Sequence, residues 1–126
     1  MTQKLLLLFL AGGAGTMARY GLDGLVQRLS GATSFPWGIA AVNLVGCFLF
    51  GLIGAMAAER GLISAEARLI LLVGFMGAFT TFSTLIGETG GFVGDGQWFY
   101  AAANFALQNA GGLILYFLGS AAGRAL

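Results

Sequence analysis

The residues with chemistry to offer are few, and they sit in apolar company. The segment Gly74-Phe75-Met76-Gly77-Ala78-Phe79-Thr80-Thr81-Phe82-Ser83-Thr84-Leu85 sets two glycines before four hydroxyl residues interleaved with aromatics. That is a poor sequence for a continuous lipid-facing helix and a good one for a helix that breaks in mid-membrane. Irregular backbone at that depth must line a cavity or be buried in protein, and its freed carbonyls can bind a cation. The plainer alternative is back-bonding of Ser and Thr to their own helix. Asn43 lies inside the uncharged run from Leu29 to Ala58 and brings two amide donors. They serve either an interhelical hydrogen bond or a permeating ion. Asn104 and Gln108 stand four apart, so a helix puts both on one face, with Asn109 adjacent. They form a polar stripe or a hydrogen-bonded helix interface. Arg19 lies late in the first apolar stretch. A charge at the bilayer centre costs about 2.5–3.5 kcal/mol, so Arg19 either snorkels to the interface or lends positive potential to a watery vestibule. Glu88 follows the hydroxyl segment by one to two turns, as a water-exposed charge or a mouth residue.

Several chemistries are excluded. There is no His, so no Ser-His-Asp or Cys-His nucleophile system and no imidazole metal site. Cys47 is the only cysteine, which rules out an intrachain disulfide and reads as a small apolar core residue. The formal net charge of +1 provides no basic surface for nucleic acid. No nucleophile–base pair supports an enzyme.

The elements that must position these residues follow from composition. The chain has 126 residues, 58% hydrophobic and 9% charged, too few charges to coat a water-soluble domain. Soluble domains carry about 25% charged residues. A lipid bilayer is the implied solvent. The expected fold is all-α, one transmembrane domain over 1–126 with four helices at about 4–28, 37–58, 66–93 and 97–122. Pro36 suits the first turn of the second helix, Trp37 and then Trp98 and Tyr100 mark interfaces, and Ser64 is a plausible N-cap. The stretch Gly91 to Gly96 reads as the third loop. The apolar start could resemble a signal peptide, but no cleavage pattern stands out, so it is kept as the first helix. The 22 glycines suit close helix packing, with GxxxG spacing at Gly87/Gly91, Gly90/Gly94 and Gly119/Gly123. An even number of spans puts Lys4, Arg60, Arg68 and Arg124 on the side of both termini, against Arg19 and Arg28 opposite. That modest bias favours cytoplasmic termini and leaves insertion in both orientations open.

The Gly-Phe-Met-Gly-Ala-Phe-Thr-Thr-Phe-Ser-Thr segment resembles the third-helix signature of the small bacterial fluoride channels, the Fluc or CrcB family. So do Pro36-Trp37-Gly38 with Val42-Asn43-Leu44-Val45-Gly46, and Gly12-Gly13-Ala14-Gly15 with Arg19-Tyr20. The resemblance covers nearly the whole chain. It implies an antiparallel, dual-topology dimer in the bacterial cytoplasmic (inner) membrane, with two fluoride pores. It also implies a structural sodium ion held by backbone carbonyls at the helix break, which map to Gly77 and Thr80. Asn43 would face the fluoride path, with Phe82 offering its ring edge. Ser83, Thr84 and Glu88 would line a polar track, and Arg19 would match the helix-one arginine. The physics is coherent, because a pore for a strongly hydrated anion must replace water donors with amides, hydroxyls and positive ring edges.

The pattern is departed from at several pore positions. Leu85 stands where the family has a second Phe, and leucine has the volume without the quadrupole. Asn104 and Gln108 replace a Tyr and a Ser, and long amides there would narrow the track. An alanine, Ala40 or Ala41, replaces a threonine often found before the helix-two Asn. Three readings follow: a homodimeric fluoride exporter; a pore-altered partner that pairs with an inverted homologue; and a small multidrug-type exporter. The last needs an acidic residue deep in helix one, where only Asp23 near its end is present.

Overall fold

The computed structural model describes residues 1–31, 34–59 and 61–126. Residues 32 and 33 of the first loop, and Arg60 of the charge bias, lie outside the described residues. All regular structure among them is helical: α1 (Thr2–Leu29), α2 (Trp37–Ala58), α3 (65–79), α4 (Phe82–Gly94) and α5 (Trp98–Ala125). α3 and α4 together make the third of four spans long and apolar enough to cross a membrane.

The ends follow local chemistry. Ser64 caps α3 by accepting from the Ala67 N–H at 3.2 Å, as its residue type suggests. Pro36 stands one position before the first helical residue rather than in the first turn. The third loop is shorter than expected, because α4 runs on through Gly94. The Asp95, Gly96 and Gln97 N–H groups then fold back onto the Gly91, Val93 and Phe92 carbonyls. Gly96, at φ +72°, supplies the left-handed residue this stop requires. α3 and α5 each contain a wide π-type stretch, Ile70–Met76 and Leu107–Gly111. Such insertions re-aim side chains and recur at functional sites.

Small residues set the packing. α2 and α5 run parallel with backbones in near contact. A Cβ on Gly51 would overlap the Tyr116 carbonyl, one on Gly119 the Phe48 carbonyl, and one on Gly123 the Leu52 carbonyl. α1 meets α3 the same way, through Gly15 against Phe75. Of the three GxxxG pairs, only Gly119/Gly123 packs within the subunit; Gly87, Gly90, Gly91 and Gly94 meet open space. Val42, Leu72, Met76 and Phe79 form the core between α2 and α3. At the other end Phe35, Phe92 and Ala101 cluster, and the rings of Trp37 and Tyr100 close on Phe35. An exposed ion pair, Arg124 to Glu59 at 3.4 Å, joins the C-terminal ends of α2 and α5. The helix directions place Lys4, Arg68 and Arg124 at that end and Arg28 at the other.

Candidate functional site

The third span breaks, but not at the glycines. Gly77 is helical, and Gly74 packs against Ala11 and Leu8 of α1. The extended residues are Thr80 (φ −85°, ψ 158°) and Thr81 (φ −149°, ψ 112°). Their N–H groups explain the stop. Thr80 still donates to the Met76 carbonyl at 3.0 Å. Thr81, whose N–H would continue the helix onto the Gly77 carbonyl, donates instead to Asn43 Oδ1 at 2.8 Å. Asn43 Nδ2 in turn donates to the Thr81 carbonyl at 3.0 Å. One amide side chain thus pairs with both backbone groups of one residue, as a neighbouring strand would. This staple holds Thr81 extended and frees the Gly77 carbonyl.

The break leaves two helix ends of opposite polarity side by side. The last carbonyls of α3 lack intrahelical donors and carry its negative end; the first N–H groups of α4 carry its positive end. Thr81 caps α4, its Oγ1 accepting from the Thr84 N–H at 3.3 Å and sharing hydroxyl contacts with Thr84 at 2.9 Å and Ser83 at 3.3 Å. The α3 end suits a cation and the α4 end suits an anion.

From the staple a line of amides crosses to α5 and α4. Asn43 Nδ2 donates to Gln108 Oε1 at 2.6 Å, Gln108 Nε2 to Asn104 Oδ1 at 2.8 Å, and Asn104 Nδ2 to Thr89 Oγ1 at 3.1 Å. The direction is forced. The Thr81 N–H can only donate, which fixes the orientation of Asn43, and each amide then fixes the next. All three amides are buried, Asn104 completely. The i, i+4 stripe on α5 is therefore a hydrogen-bonded interface that also reaches the break.

An apolar groove of about 520 Å³ opens beside this line. Asn43, Thr80, Thr81, Phe82, Leu85 and Gln108 line one part, and Gly46, Cys47, Phe50, Asn109, Gly112, Leu113 and Tyr116 the rest. Of the residues singled out from the sequence, the fold brings Asn43, Thr80, Phe82, Leu85 and Gln108 to the groove. Phe82 is exposed and Leu85 is buried. Ser83 and Thr84 join the site through Thr81. Glu88 does not reach the groove. It sits half-buried in a separate hollow of about 240 Å³ with Ser34, Pro36, Gly91, Phe92 and Asp95. Its Oε2 is buried without a partner among the described residues. Arg19 stays on α1, half-buried and away from both hollows. Asn109 is exposed and turns back on its own helix, donating to the Phe105 carbonyl at 2.7 Å. Two residues not singled out complete the site, Thr81 and Thr89. The signal for Thr81 was a hydroxyl three residues before Thr84, a spacing that suits an N-cap; Thr89 carried none.

The carbonyls named for sodium fit a hard cation. Gly77 has lost its helical donor to Asn43, and Thr80, whose N–H still bonds the Met76 carbonyl, turns extended so that its own carbonyl leaves the α3 ladder. Both lie at the negative end of α3. Among the described residues no group of three or more His, Cys, Asp or Glu side chains gathers to hold a metal, so backbone oxygen is the donor set on offer.

A family model described as CrcB-like protein, Camphor Resistance (CrcB), matches residues 6–120. The chain is 56% identical over 119 residues to a protein of Nitrosococcus oceani named fluoride-specific ion channel FluC, covering 94% of each. A protein of the same name from Solidesulfovibrio magneticus is 52% identical over 124 residues, covering 98% of each. Another, from Chlorobaculum tepidum, is 50% identical over 121 residues, covering 95% of this chain and 94% of the relative.

Proposed function

The chain belongs to the CrcB family, and from that premise we propose that it is a fluoride-selective channel of the bacterial inner membrane. It is a multi-pass transport protein and not an enzyme. It lets fluoride leave the cell down its electrochemical gradient. The observation that carries the reading is the broken third span, whose α4 N-terminus, ringed by Thr81, Ser83 and Thr84 hydroxyls, stands at a groove among buried amides.

Fluoride gives up water only to groups that donate as well as water does. The N–H groups of the first turn of α4 and the neighbouring hydroxyls are such donors. The Phe82 ring adds a positive edge. Several modest donors in line permit exit as well as entry.

The working unit in this proposal is an antiparallel pair of identical chains, which would cover the open groove and set two breaks face to face. The carbonyls of Gly77 and Thr80 from both copies would then hold a sodium ion, which supplies fixed positive charge beside the anion paths. A second reading, a pore-altered subunit that works with an inverted homologue, is favoured by two observations. Both donors of Asn43 are committed within the chain, and Leu85 lacks the quadrupole of a ring.

The test is fluoride efflux from liposomes holding the purified chain alone. Rapid fluoride loss without chloride loss supports the homodimeric channel. A folded chain that passes no fluoride until an inverted homologue is added supports the partner reading instead.

A further inference from the structure

The carbonyls that suit a cation are aimed from α2. Asn43 and Gly46 stand three apart on one face of that helix, and both meet the break. Asn43 accepts from the Thr81 N–H. In the trans Thr80–Thr81 peptide the C=O points opposite to that N–H. The Thr80 carbonyl is therefore directed away from α2, and no donor among the described residues pairs with it. Thr80 is also fixed through its side chain. Its N–H and its Oγ1 both donate to the Met76 carbonyl, each at 3.0 Å. That carbonyl is spent on two donors, which leaves those of Gly77 and Thr80 on offer. With Oγ1 held there, χ1 is set, and the Thr80 methyl is directed at α2. It lands where Gly46 has no side chain. A Cβ on the buried Gly46 would overlap Thr80 Cγ2, with Met76 Cε and Phe79 Cδ1 each 3.5 Å away. Met76 and Phe79 belong to the packed core, so the notch does not widen cheaply.

We propose that Gly46 is a positioning residue for the cation: its missing side chain seats the Thr80 methyl, and that seat holds the Thr80 carbonyl where a hard cation can use it. This rests on the sodium reading above and goes further by naming the residue that tunes the affinity. A methyl at position 46 leaves Thr80 two outlets. It turns about χ1 and gives up the Oγ1 bond to Met76, or it shifts bodily and carries its carbonyl along. Either outlet misplaces a ligand oxygen, and hard cations take oxygen within a narrow range of distances. Gly46→Ala alters no ligand and no charge, so its effect on a cation passes through Thr80 alone.

The test reads sodium affinity rather than flux. Sodium is titrated into the purified protein in detergent, with N-methylglucammonium making up the ionic strength, and the unfolding temperature is followed. The parent should gain stability saturably, as with any ligand bound by the folded form alone. Gly46→Ala should need about tenfold more sodium, or higher, to reach half of its gain, the order expected when a group that orients a metal ligand is changed. Gly46→Ala with Thr80→Ser, which deletes the overlapped methyl and keeps Oγ1, should recover most of that affinity. A glycine needed only for packing would lower the unfolding temperature at every sodium concentration and leave the half-point where it was. Thr80→Val keeps the methyl and cuts only the bond to Met76. It should raise the half-point too, and it serves where Gly46→Ala does not fold. A half-point within about twofold of the parent in Gly46→Ala, or in Thr80→Val as its substitute, overturns the inference. So does a double variant as weak as Gly46→Ala alone. If sodium does not move the folded parent, the sodium reading falls and takes this one with it; if the parent responds, only the role of Gly46 is at stake.

Discussion

Removing the staple is the sharpest perturbation of this fold. Asn43 makes three buried hydrogen bonds, two to Thr81 and one to Gln108. Side-chain bonds between membrane helices average about 0.6 kcal/mol, so three contribute about 2 kcal/mol. The Thr81 N–H has no other partner at the break, and leaving it dry and unpaired adds about 1–3 kcal/mol. Asn43→Leu keeps the volume and deletes the bonds, so it should lose about 3–5 kcal/mol of stability. Asn43→Ala should lose at least as much, since it adds a cavity. Reversible unfolding in mixed micelles with rising sodium dodecyl sulfate measures the loss. Fluoride efflux should weaken in both variants, because Thr81 is then no longer held extended and the start of α4 loses its fixed position. A loss under about 0.5 kcal/mol for Asn43→Leu, with normal efflux, would refute the staple, for the bonds would then be exchanging with water at no cost.

Other perturbations test separate parts. Gly119→Ala places a methyl on the Phe48 carbonyl and should cost about 2 kcal/mol or more, whereas Gly54→Ala meets nothing and should gain up to about 1 kcal/mol from helix propensity; the same unfolding titration reads both. Leu85→Phe restores a ring edge at the groove and should preserve or raise fluoride efflux. Since Leu85 is buried, it should also cost about 1–3 kcal/mol by overpacking; efflux abolished with the protein still folded would contradict its place on the path. Purifying the protein with an organic cation in place of sodium should lower efflux, and readdition should restore it. Equal rates with and without sodium would rule out the carbonyl site at Gly77 and Thr80.

Much of the architecture was legible without coordinates. Long uncharged runs bounded by short polar stretches have one solution in a bilayer, because backbone groups there must be satisfied within the segment. Four spans are expected from that pattern, and four helices are long and apolar enough to cross a membrane. The clustering of hydroxyls after Phe79 likewise marked the broken span. Its exact seat was not legible. Two glycines precede the hydroxyls in that segment, yet a glycine also suits close packing, and Gly74 is used that way. The break falls at Thr80 and Thr81 because a donor and acceptor from α2, 38 positions away, compete for the Thr81 backbone.

The same division runs through the site. The sequence by itself determined which groups are available within the spans: the amides of Asn43, Asn104, Gln108 and Asn109, the four hydroxyls after Phe79, the ring of Phe82, and scarcely a charge. Residue type sets donor count, and periodicity sets which neighbours share a face, so Asn104 and Gln108 were paired from their spacing alone. Only the tertiary structure decided which donors are spent. Asn43 has none to spare, Gln108 has one, and Glu88 is parted from the groove. A hydrogen bond between helices depends on crossing geometry and on which partner arrives first in a chain of donors. No local pattern encodes that order; here it begins at a single backbone N–H that can only give.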